Sequence, residues 1–271
     1  MLTKTETLYR SLLPSVIVTY DEVIRTALGI VQNAPSRAYL HKKYVTRLVE
    51  SGKLHQIRKG LYLVLSPTDK PETYIPDKIL IASKLRKEYY LGYHTALEYY
   101  GCAQSLYNEA YICIKPKNRF RPFSYRQLHF RPVFTSDTNT AIETKRYQET
   151  PIKVSSRERT FLDCIDKVQY AGGWEECIKS LEGLSHISPE KLLKLLEERK
   201  KDKIIRKAGF VLELLKDRSP FYEDVSHQLL AKIGTMITGS PLYLTQNENG
   251  PLNKKWKLYV PENFEEKLRG I

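Results

Sequence analysis

Side chains suited to nucleic-acid contact recur along residues 36–50 and again in the hairpin that follows. Projected at about 100° per residue, a helix over this segment places its basic and polar residues on one side. The planar guanidinium of Arg47 suits the O6 and N7 atoms of guanine, whereas lysine side chains suit phosphate oxygens. The predicted DNA contacts come from this face and from the hairpin tip: Arg37, Tyr39, Lys42, Lys43, Thr46, Arg47, Arg58 and Lys59.

The other side of the same helix is predicted to dock it on a core. It carries His41, Tyr44, Val45, Leu48 and Val49. A helix over Thr5–Leu13 and a second from the N-cap Thr19 to Leu28 precede it, and Gly52 ends it. Two strands, Leu54–Arg58 and Leu61–Leu65, then meet at a turn around Lys59 and Gly60. Three helices followed by a basic hairpin predict a winged helix-turn-helix, with Ser36–Glu50 as the recognition helix.

The remaining chain predicts a second, larger domain. Residues 67–76 are polar and rich in proline, which is typical of a linker. Residues 77–271 begin with alternating helical and strand patterns, and from Arg157 onward the pattern is mostly helical. A last hairpin is predicted to pair Leu242–Thr245 with Trp256–Val260. The fold class is therefore predicted to be α+β, with a DNA-binding domain over 1–66 and a mixed domain over 77–271.

Composition narrows the class of protein. The 271 residues carry a net charge of +13 and a pI near 9.4, a balance that attracts polyanions. No apolar run reaches the roughly 20 residues that span a bilayer, and the N-terminus lacks the apolar core of a secretory signal. We therefore expect a cytoplasmic protein without membrane contact. Residues 1–72 hold 11 Lys and Arg against 6 Asp and Glu, so most of the net charge lies beyond them.

A second basic segment lies between Tyr111 and Phe134, where there is no acidic residue. Alternate positions along an extended chain face the same side, which predicts a cationic face. Aromatic residues interleave with the cations, as in surfaces that bind phosphates and stack bases, although aromatics in strands often fill a core. Nucleic acid and an acidic protein surface both remain possible partners. The cations are Lys115, Lys117, Arg119, Arg121, Arg126 and Arg131.

Other reactive groups favour structural roles. Cys102, Cys113, Cys164 and Cys177 are predicted to be buried free thiols, because they lie in apolar surroundings without histidines at ligand spacing. Ser155 and Glu158 fit a capping box. Asp163 and Asp166 share a helix face, but Arg159 lies four residues before Asp163 and favours an ion pair over a metal site. No cofactor and no metal are expected.

Two alternatives remain open from the residues alone. Glu143 and Lys145 have the Glu-x-Lys spacing of some metal-dependent nucleases, but Asp137 lies in a turn-like segment and makes a poor upstream ligand. The sequence also lacks HExxH, P-loop, GxSxG and glycine-rich dinucleotide motifs, so an enzyme is not expected. A ligand-responsive repressor is the other alternative.

Four segments resemble the AbiEi family of antitoxin-type transcriptional regulators. They occur in family order along the chain: Tyr44–Leu54 with Ile57–Tyr62, Gly92–Leu97 with Tyr99–Gly101, Ser155–Asp163, and Asn253–Pro261. The resemblance implies a two-domain repressor whose winged helix binds inverted repeats in the promoter of its own operon. It also implies a second domain that neutralises a toxin resembling a nucleotidyltransferase.

Overall fold

The structure is a computed structural model that describes residues 2–31, 35–246 and 248–269.

Side-chain caps begin the first two helices. Helix α1 (Lys4–Leu12) begins after Thr3, whose side chain accepts a hydrogen bond from the backbone N–H of Glu6. Helix α2 (Tyr20–Ile30) begins with a capping box in which Thr19 and Glu22 accept from each other's backbone N–H. These bonds satisfy N–H groups that a helix leaves unpaired, so the N-cap predicted at Thr19 is confirmed.

The segment predicted as the recognition helix is helical but not one regular α-helix. It begins where predicted, after Ser36, whose side chain caps it by accepting a hydrogen bond from the backbone N–H of Tyr39. A π turn with a hydrogen bond from Thr46 N–H to the carbonyl of His41 interrupts it. The pieces are α3 (Arg37–Leu40), the π turn (His41–Val45) and α4 (Thr46–Glu50).

The π turn changes which side of this segment is buried. The prediction placed His41 and Val49 on the docking side, but both are exposed, and Leu40 is buried instead. Tyr44, Val45 and Leu48 are buried as predicted. A π turn adds a residue to the helical turn, so residues on either side of it do not follow a single 3.6-residue projection.

An antiparallel sheet of three strands accompanies these helices. The strand order is β1-β3-β2, and Val18 lies opposite Tyr62 in the central strand. Gly60 has a φ of 81°, which a residue with a side chain rarely adopts, and it makes the turn between β2 and β3. The strands are β1 (Ile17–Thr19), β2 (Leu54–Arg58) and β3 (Leu61–Val64).

The chain folds into two compact units, and the fold is mixed α and β. The first unit contains Met1–Tyr90, Asn108–Ser136 and Thr144–Lys153, and the second contains Leu91–Tyr107, Asp137–Glu143 and Val154–Ile271. Between β3 and the next helix, residues 65–77 form turns without helix or strand. The predicted domain boundary at residues 67–76 stays a prediction.

A six-stranded sheet contributes most of the β structure outside the N-terminal segment, with the order β6-β7-β5-β4-β9-β8. Strand β7 is parallel to β5 and antiparallel to β6. The division between the two units passes through β4, β8 and β9. The strands are β4 (Tyr90–Leu91), β5 (Glu109–Ile114), β6 (Phe123–Tyr125), β7 (Leu128–Phe134), β8 (Ile142–Tyr147) and β9 (Thr150–Ser155).

Helices dominate the second unit, as the spacing of apolar residues predicts. Their buried faces share one core that includes Phe161, Leu196, Leu212 and Trp256. Helix α5 (Lys78–Ser83) belongs to the first unit. The remaining helices are α6 (Tyr93–Tyr99), α7 (Arg157–Asp166), α8 (Gly173–Glu182), α9 (Pro189–Arg199), α10 (Asp202–Lys216), α11 (His227–Thr235) and α12 (Phe264–Arg269).

The last strands do not form the predicted hairpin. Strand β10 (Leu242–Tyr243) is parallel to β12 (Leu258–Tyr259), and the short strand β11 (Leu252–Asn253) pairs antiparallel with β12. The two predicted segments do pair, but in parallel, so the hairpin prediction is wrong in strand direction; β11 lies on the other edge of β12. Asn247, at the start of the predicted turn, lies outside the described residues. No helix in the described ranges has both the length and the apolar character to cross a membrane.

A buried lysine lies inside the core of the second unit. Lys207 on α10 is 3% exposed, and its Nζ donates to the carbonyl of Ile165 at 2.9 Å. It also lies 5.0 Å from the centre of the Trp174 ring. Burial, with a smaller effect of nearby Lys203, lowers the pKa of Lys207 from 10.5 to about 8. The folded chain therefore binds this proton less tightly than the unfolded chain does.

We predict that Lys207→Met removes a pH-dependent part of the stability. Below pH 8 the wild-type chain must hold a buried ammonium, and this cost falls as pH rises from about 8 toward 10.5. Between pH 7.5 and 9.5 the wild type should gain about 2 kcal/mol relative to Lys207→Met, at 1.36 kcal/mol per pKa unit. The test is urea unfolding of both chains at each pH. Subtracting the free energies of unfolding of the two chains at each pH removes the contribution of the thiols and tyrosines that both chains share. If the two free energies changed with pH in parallel, the prediction would be contradicted.

Candidate DNA interface and the second basic segment

The predicted contact face of residues 37–50 is largely exposed. Arg37, Tyr39, Lys42 and Arg47 are exposed, while Lys43 and Thr46 are half-buried. Tyr39, at 44% exposure, is among the large apolar or aromatic side chains that the fold leaves open to solvent. The structure therefore brings six of the eight predicted contact residues together on one helical segment.

Two members of this face already have partners. Arg37 forms an ion pair with Asp21 and lies 5.4 Å from the centre of the Tyr20 ring. The hydrogen bond with Arg37 lowers the pKa of Asp21. Lys43 donates to the hydroxyl of Tyr39 at 2.5 Å, a hydrogen bond that raises the pKa of Lys43 and keeps it charged.

Other cations of the face lack a carboxylate partner. Within the described ranges, no Asp or Glu lies at ion-pair distance from Lys42, Arg47 or Lys59. Their charges are therefore available to an external anion. At these three positions, therefore, no carboxylate of the described residues neutralises the positive charge.

The two cations at the hairpin tip differ in their surroundings. Lys59 is exposed, whereas Arg58 is half-buried. The guanidinium of Arg58 lies 4.4 Å from the centre of the Phe123 ring, a distance at which a cation–π contact is attractive. Arg58 thus packs against strand β6, and Lys59 is the more accessible of the pair. Their role as a wing that contacts DNA stays a prediction.

The second basic segment is not the single extended face that alternation predicts. Strand β5 ends at Ile114, and Pro116–Asn118 form a 3₁₀ turn. Pro116 stands at the start of this turn, where its fixed φ and missing N–H are tolerated. Because Lys115–Arg121 is not an extended strand, its alternate side chains do not all face one side, and this part of the prediction is wrong.

Distant residues partner half of the cations in this segment. Lys117 pairs with Glu88 at 3.4 Å, and Arg131 pairs with Glu109 at 2.8 Å across β5 and β7. Arg126 donates to the carbonyl of Glu72 at 3.0 Å. Arg119 and Arg121 are exposed, and Lys115 is half-buried.

The aromatic side chains between these cations serve packing. The Phe123 ring stacks on Phe130 with a centroid separation of 4.8 Å, and it meets Phe120 edge-on at 6.4 Å. Phe120 and Tyr125 are buried. A base-stacking role would need open ring faces, so the core role that the sequence left as an alternative is the one these rings fill.

The residues of the nuclease alternative have other partners. Asp137 accepts from the backbone N–H groups of Asn139 and Thr140 and pairs with Arg159. Burial raises the pKa of Asp137, but these hydrogen bonds outweigh it and hold the pKa at about 2. In the part of the chain that the structure describes, no group of three or more His, Cys, Asp or Glu side chains is placed to hold a metal ion.

A buried charge network centres on Arg159, which is 3% exposed. Its Nε donates to both carboxylate oxygens of Asp163 at 2.9 and 3.0 Å, which confirms the predicted ion pair. Arg199 donates to Asp163 at 2.8 Å. Arg159 Nη1 also donates to the carbonyl of Thr140 at 3.0 Å, so the network ties residues 137–140 to α7.

The cap of α7 differs by one residue from the prediction. Ser156, not Ser155, accepts from the backbone N–H of Arg159. Ser155 ends strand β9, and its hydroxyl bonds Thr160 at 2.7 Å. Glu158 instead accepts from the backbone N–H of Ser188 at 3.0 Å. The predicted capping box is therefore wrong, because the strand takes Ser155.

The free cysteines follow the prediction in most cases. All four are unpaired thiols. Cys113, Cys164 and Cys177 are buried, whereas Cys102 is half-buried. Burial raises the pKa of the Cys102 thiol to about 12, so it stays protonated and unreactive at neutral pH.

Comparison with known proteins finds a family resemblance in the central segment. Residues 119–213 match the family described as "Transcriptional regulator, AbiEi antitoxin, Type IV TA system". This part of the chain is AbiEi-like. The AbiEi resemblance stated for Ser155–Asp163 is thereby confirmed, and in the structure those residues hold the cap of α7 and the Arg159 network.

A solved structure shares the fold over the full length. The crystal structure of the RV2827C protein from Mycobacterium tuberculosis matches with a TM-score of 0.67 and 14% identity, covering 100% of this chain and 96% of that one. At this identity the likeness concerns the fold alone. No curated protein matches the chain.

Proposed function

We propose that the chain is a cytoplasmic DNA-binding transcriptional repressor and antitoxin, and not an enzyme. In this proposal residues 1–66 form a winged helix that binds operator inverted repeats in the promoter of its own operon. Residues 77–271 neutralise a toxin that resembles a nucleotidyltransferase. The match of residues 119–213 to AbiEi antitoxin regulators is the observation that carries the assignment.

The contact face supports the DNA-binding part. Lys42, Arg47 and Lys59 are exposed cations without a carboxylate partner in the described residues. Three helical segments and the antiparallel β1-β3-β2 sheet have the composition of a winged helix-turn-helix. A helix of this kind fits the major groove, and a hairpin beside it reaches the neighbouring backbone.

We expect DNA affinity to fall steeply with salt. Each phosphate that the protein neutralises contributes about 0.9 to the slope of log affinity against log salt concentration. With several cations of this face in contact, the slope should be about −4 to −8. The measurement is fluorescence anisotropy on a duplex from the upstream region of the gene and on a scrambled duplex. A flat salt dependence, or equal affinity for both duplexes, would count against a sequence-specific repressor.

We expect the full-length chain to restore growth when it is expressed together with the toxin-like product of the adjacent gene. A chain carrying Lys43→Ala and Arg47→Ala should restore growth equally well, because neutralisation is assigned to residues 77–271. Expression of the toxin from an unrelated promoter separates neutralisation from repression. Continued growth arrest despite a soluble, folded chain would contradict the antitoxin assignment.

A further inference from the structure

A cavity of about 570 Å³ lies within the first unit, and its lining contains none of the proposed DNA-contact residues. Its walls come from the start of α2, from the end of α5 and the residues that follow it up to Tyr89, and from β8 and β9. Its volume lies in the range of pockets for small ligands and cofactors. The charged residues that line it are Asp21, Glu22, Arg25, Lys84, Arg86, Lys87 and Lys153.

Both carboxylates of this cavity are already engaged. Asp21 pairs with Arg37. Glu22 pairs with Lys84 at 2.6 Å and accepts from the backbone N–H of Thr19 at 2.7 Å. Burial raises the pKa of Glu22, but these hydrogen bonds outweigh it and the pKa lies below its ordinary value. Neither carboxylate forms an ion pair with another cation of the lining, although the charges of Lys87 and Arg25 add to the effect of Arg37 in lowering the pKa of Asp21.

Four cations of the lining have no carboxylate partner. Among the residues that the structure describes, no Asp or Glu lies at ion-pair distance from Arg25, Arg86, Lys87 or Lys153. Arg86 donates to the carbonyls of Asn118 and Arg119 at 2.7 and 2.9 Å, contacts that orient it without cancelling its charge. Burial and the charge of nearby Arg58 lower the pKa of Arg86. A carboxylate beside the guanidinium would have the opposite effect on its pKa.

The cavity also offers a neutral wall. Tyr89 is 5% exposed, and its hydroxyl accepts from the backbone N–H of Lys153 at 3.2 Å. Burial raises the pKa of Tyr89 to about 12, so the ring adds no negative charge. Leu85 and Pro151 line the cavity beside it. An organic group attached to an anion therefore has a surface to pack against.

We propose that this cavity binds a small phosphorylated molecule, with the phosphate held by Arg25, Lys87 and Lys153 and the organic part against Tyr89, Leu85 and Pro151. Uncompensated cations around a recess favour a multiply charged anion, because guanidinium and ammonium groups form charge-assisted hydrogen bonds to phosphate oxygens. We favour a free molecule over a DNA backbone, because the lining places Tyr89, Leu85 and Pro151 beside the cations, where they can pack against an organic group.

The test is isothermal titration of the full-length chain, without DNA, using inorganic pyrophosphate and ADP as probes at constant ionic strength. Arg25→Gln with Lys87→Gln removes two exposed cations of the lining. Lys254→Gln with Lys257→Gln removes the same charge from exposed positions outside it. We expect saturable binding that the first pair of substitutions weakens at least about tenfold and the control pair changes less than about twofold. ADP should bind more tightly than pyrophosphate because it has an organic part.

Other outcomes overturn the proposal. Equal weakening by both pairs would show that the anion responds only to net charge. Absence of saturable binding to the wild-type chain would show that the cavity takes no such ligand. A nonspecific DNA duplex that competes with pyrophosphate, with its own affinity lowered by Arg25→Gln and Lys87→Gln, would assign these cations to the DNA backbone. Because the titration contains no DNA, its failure leaves the repressor proposal standing.

Discussion

Arg159→Ala is expected to lower the free energy of unfolding by about 3–5 kcal/mol, the usual cost of removing one partner of a buried ion pair. The substitution leaves the buried carboxylate of Asp163 bonded to Arg199 at 2.8 Å, but without the guanidinium that bonds both of its oxygens. It also removes the donor to the carbonyl of Thr140. The free energy of unfolding of a small domain is about 5–15 kcal/mol, so the expected loss is a large share of it.

Urea unfolding followed by circular dichroism measures this effect. Lys179→Ala is the matched control, because Lys179 forms an exposed pair with Glu175 at the same four-residue spacing. Exposed pairs of this kind contribute about 0.3–0.5 kcal/mol. Arg159→Lys should fall between the two, since it keeps the charge but loses the planar fork. Equal effects of Arg159→Ala and Lys179→Ala would show that the network does not stabilise the second unit.

The double substitution Lys43→Ala and Arg47→Ala is expected to weaken operator binding roughly 100-fold at moderate salt. A bidentate contact from Arg47 to guanine accounts for about 1–3 kcal/mol, and the loss of a phosphate contact by Lys43 should reduce the salt slope by about 1. Neither side chain lies in the core, since Arg47 is exposed and Lys43 is half-buried. The fold should therefore be unchanged.

Lys4→Ala with Arg10→Ala removes two exposed cations from α1 and serves as the control for charge. We expect this pair to change affinity only several-fold, and equally for operator and scrambled duplexes. The contact-face pair should instead reduce the preference for the operator. If both pairs had the same effect, binding would depend on net charge and the recognition helix would lie elsewhere.

The helix starts show how far local sequence determines this fold. Thr19 and Glu22 are three residues apart, and Ser36 stands three residues before Tyr39, so each bond forms within one helical turn. Such contacts need no distant part of the chain, and their spacing is visible in the sequence. The shifted cap of α7 marks the limit, because strand pairing, a non-local event, placed Ser155 at the end of β9.

The π turn and the pairing of the short strands are also features that local sequence patterns do not predict. An ideal helical projection assigns His41 and Val49 to the docking side, but the π turn at His41–Val45 exposes both. The parallel pairing of β10 with β12 depends on a contact between segments 16 residues apart along the chain. Pairing partners of two-residue strands are set by packing and not by local propensity.

By itself, the sequence determined the cationic residues of the 36–50 segment, the cap of α2 and the mixed fold class. Only the tertiary structure decided which charges are neutralised. Glu88 and Glu109 reach Lys117 and Arg131 from outside a segment that has no acid of its own. Arg25, Lys87 and Lys153 meet around one cavity although they are far apart in the chain. Charge compensation acts over a few ångströms in space, and folding alone brings distant residues that close.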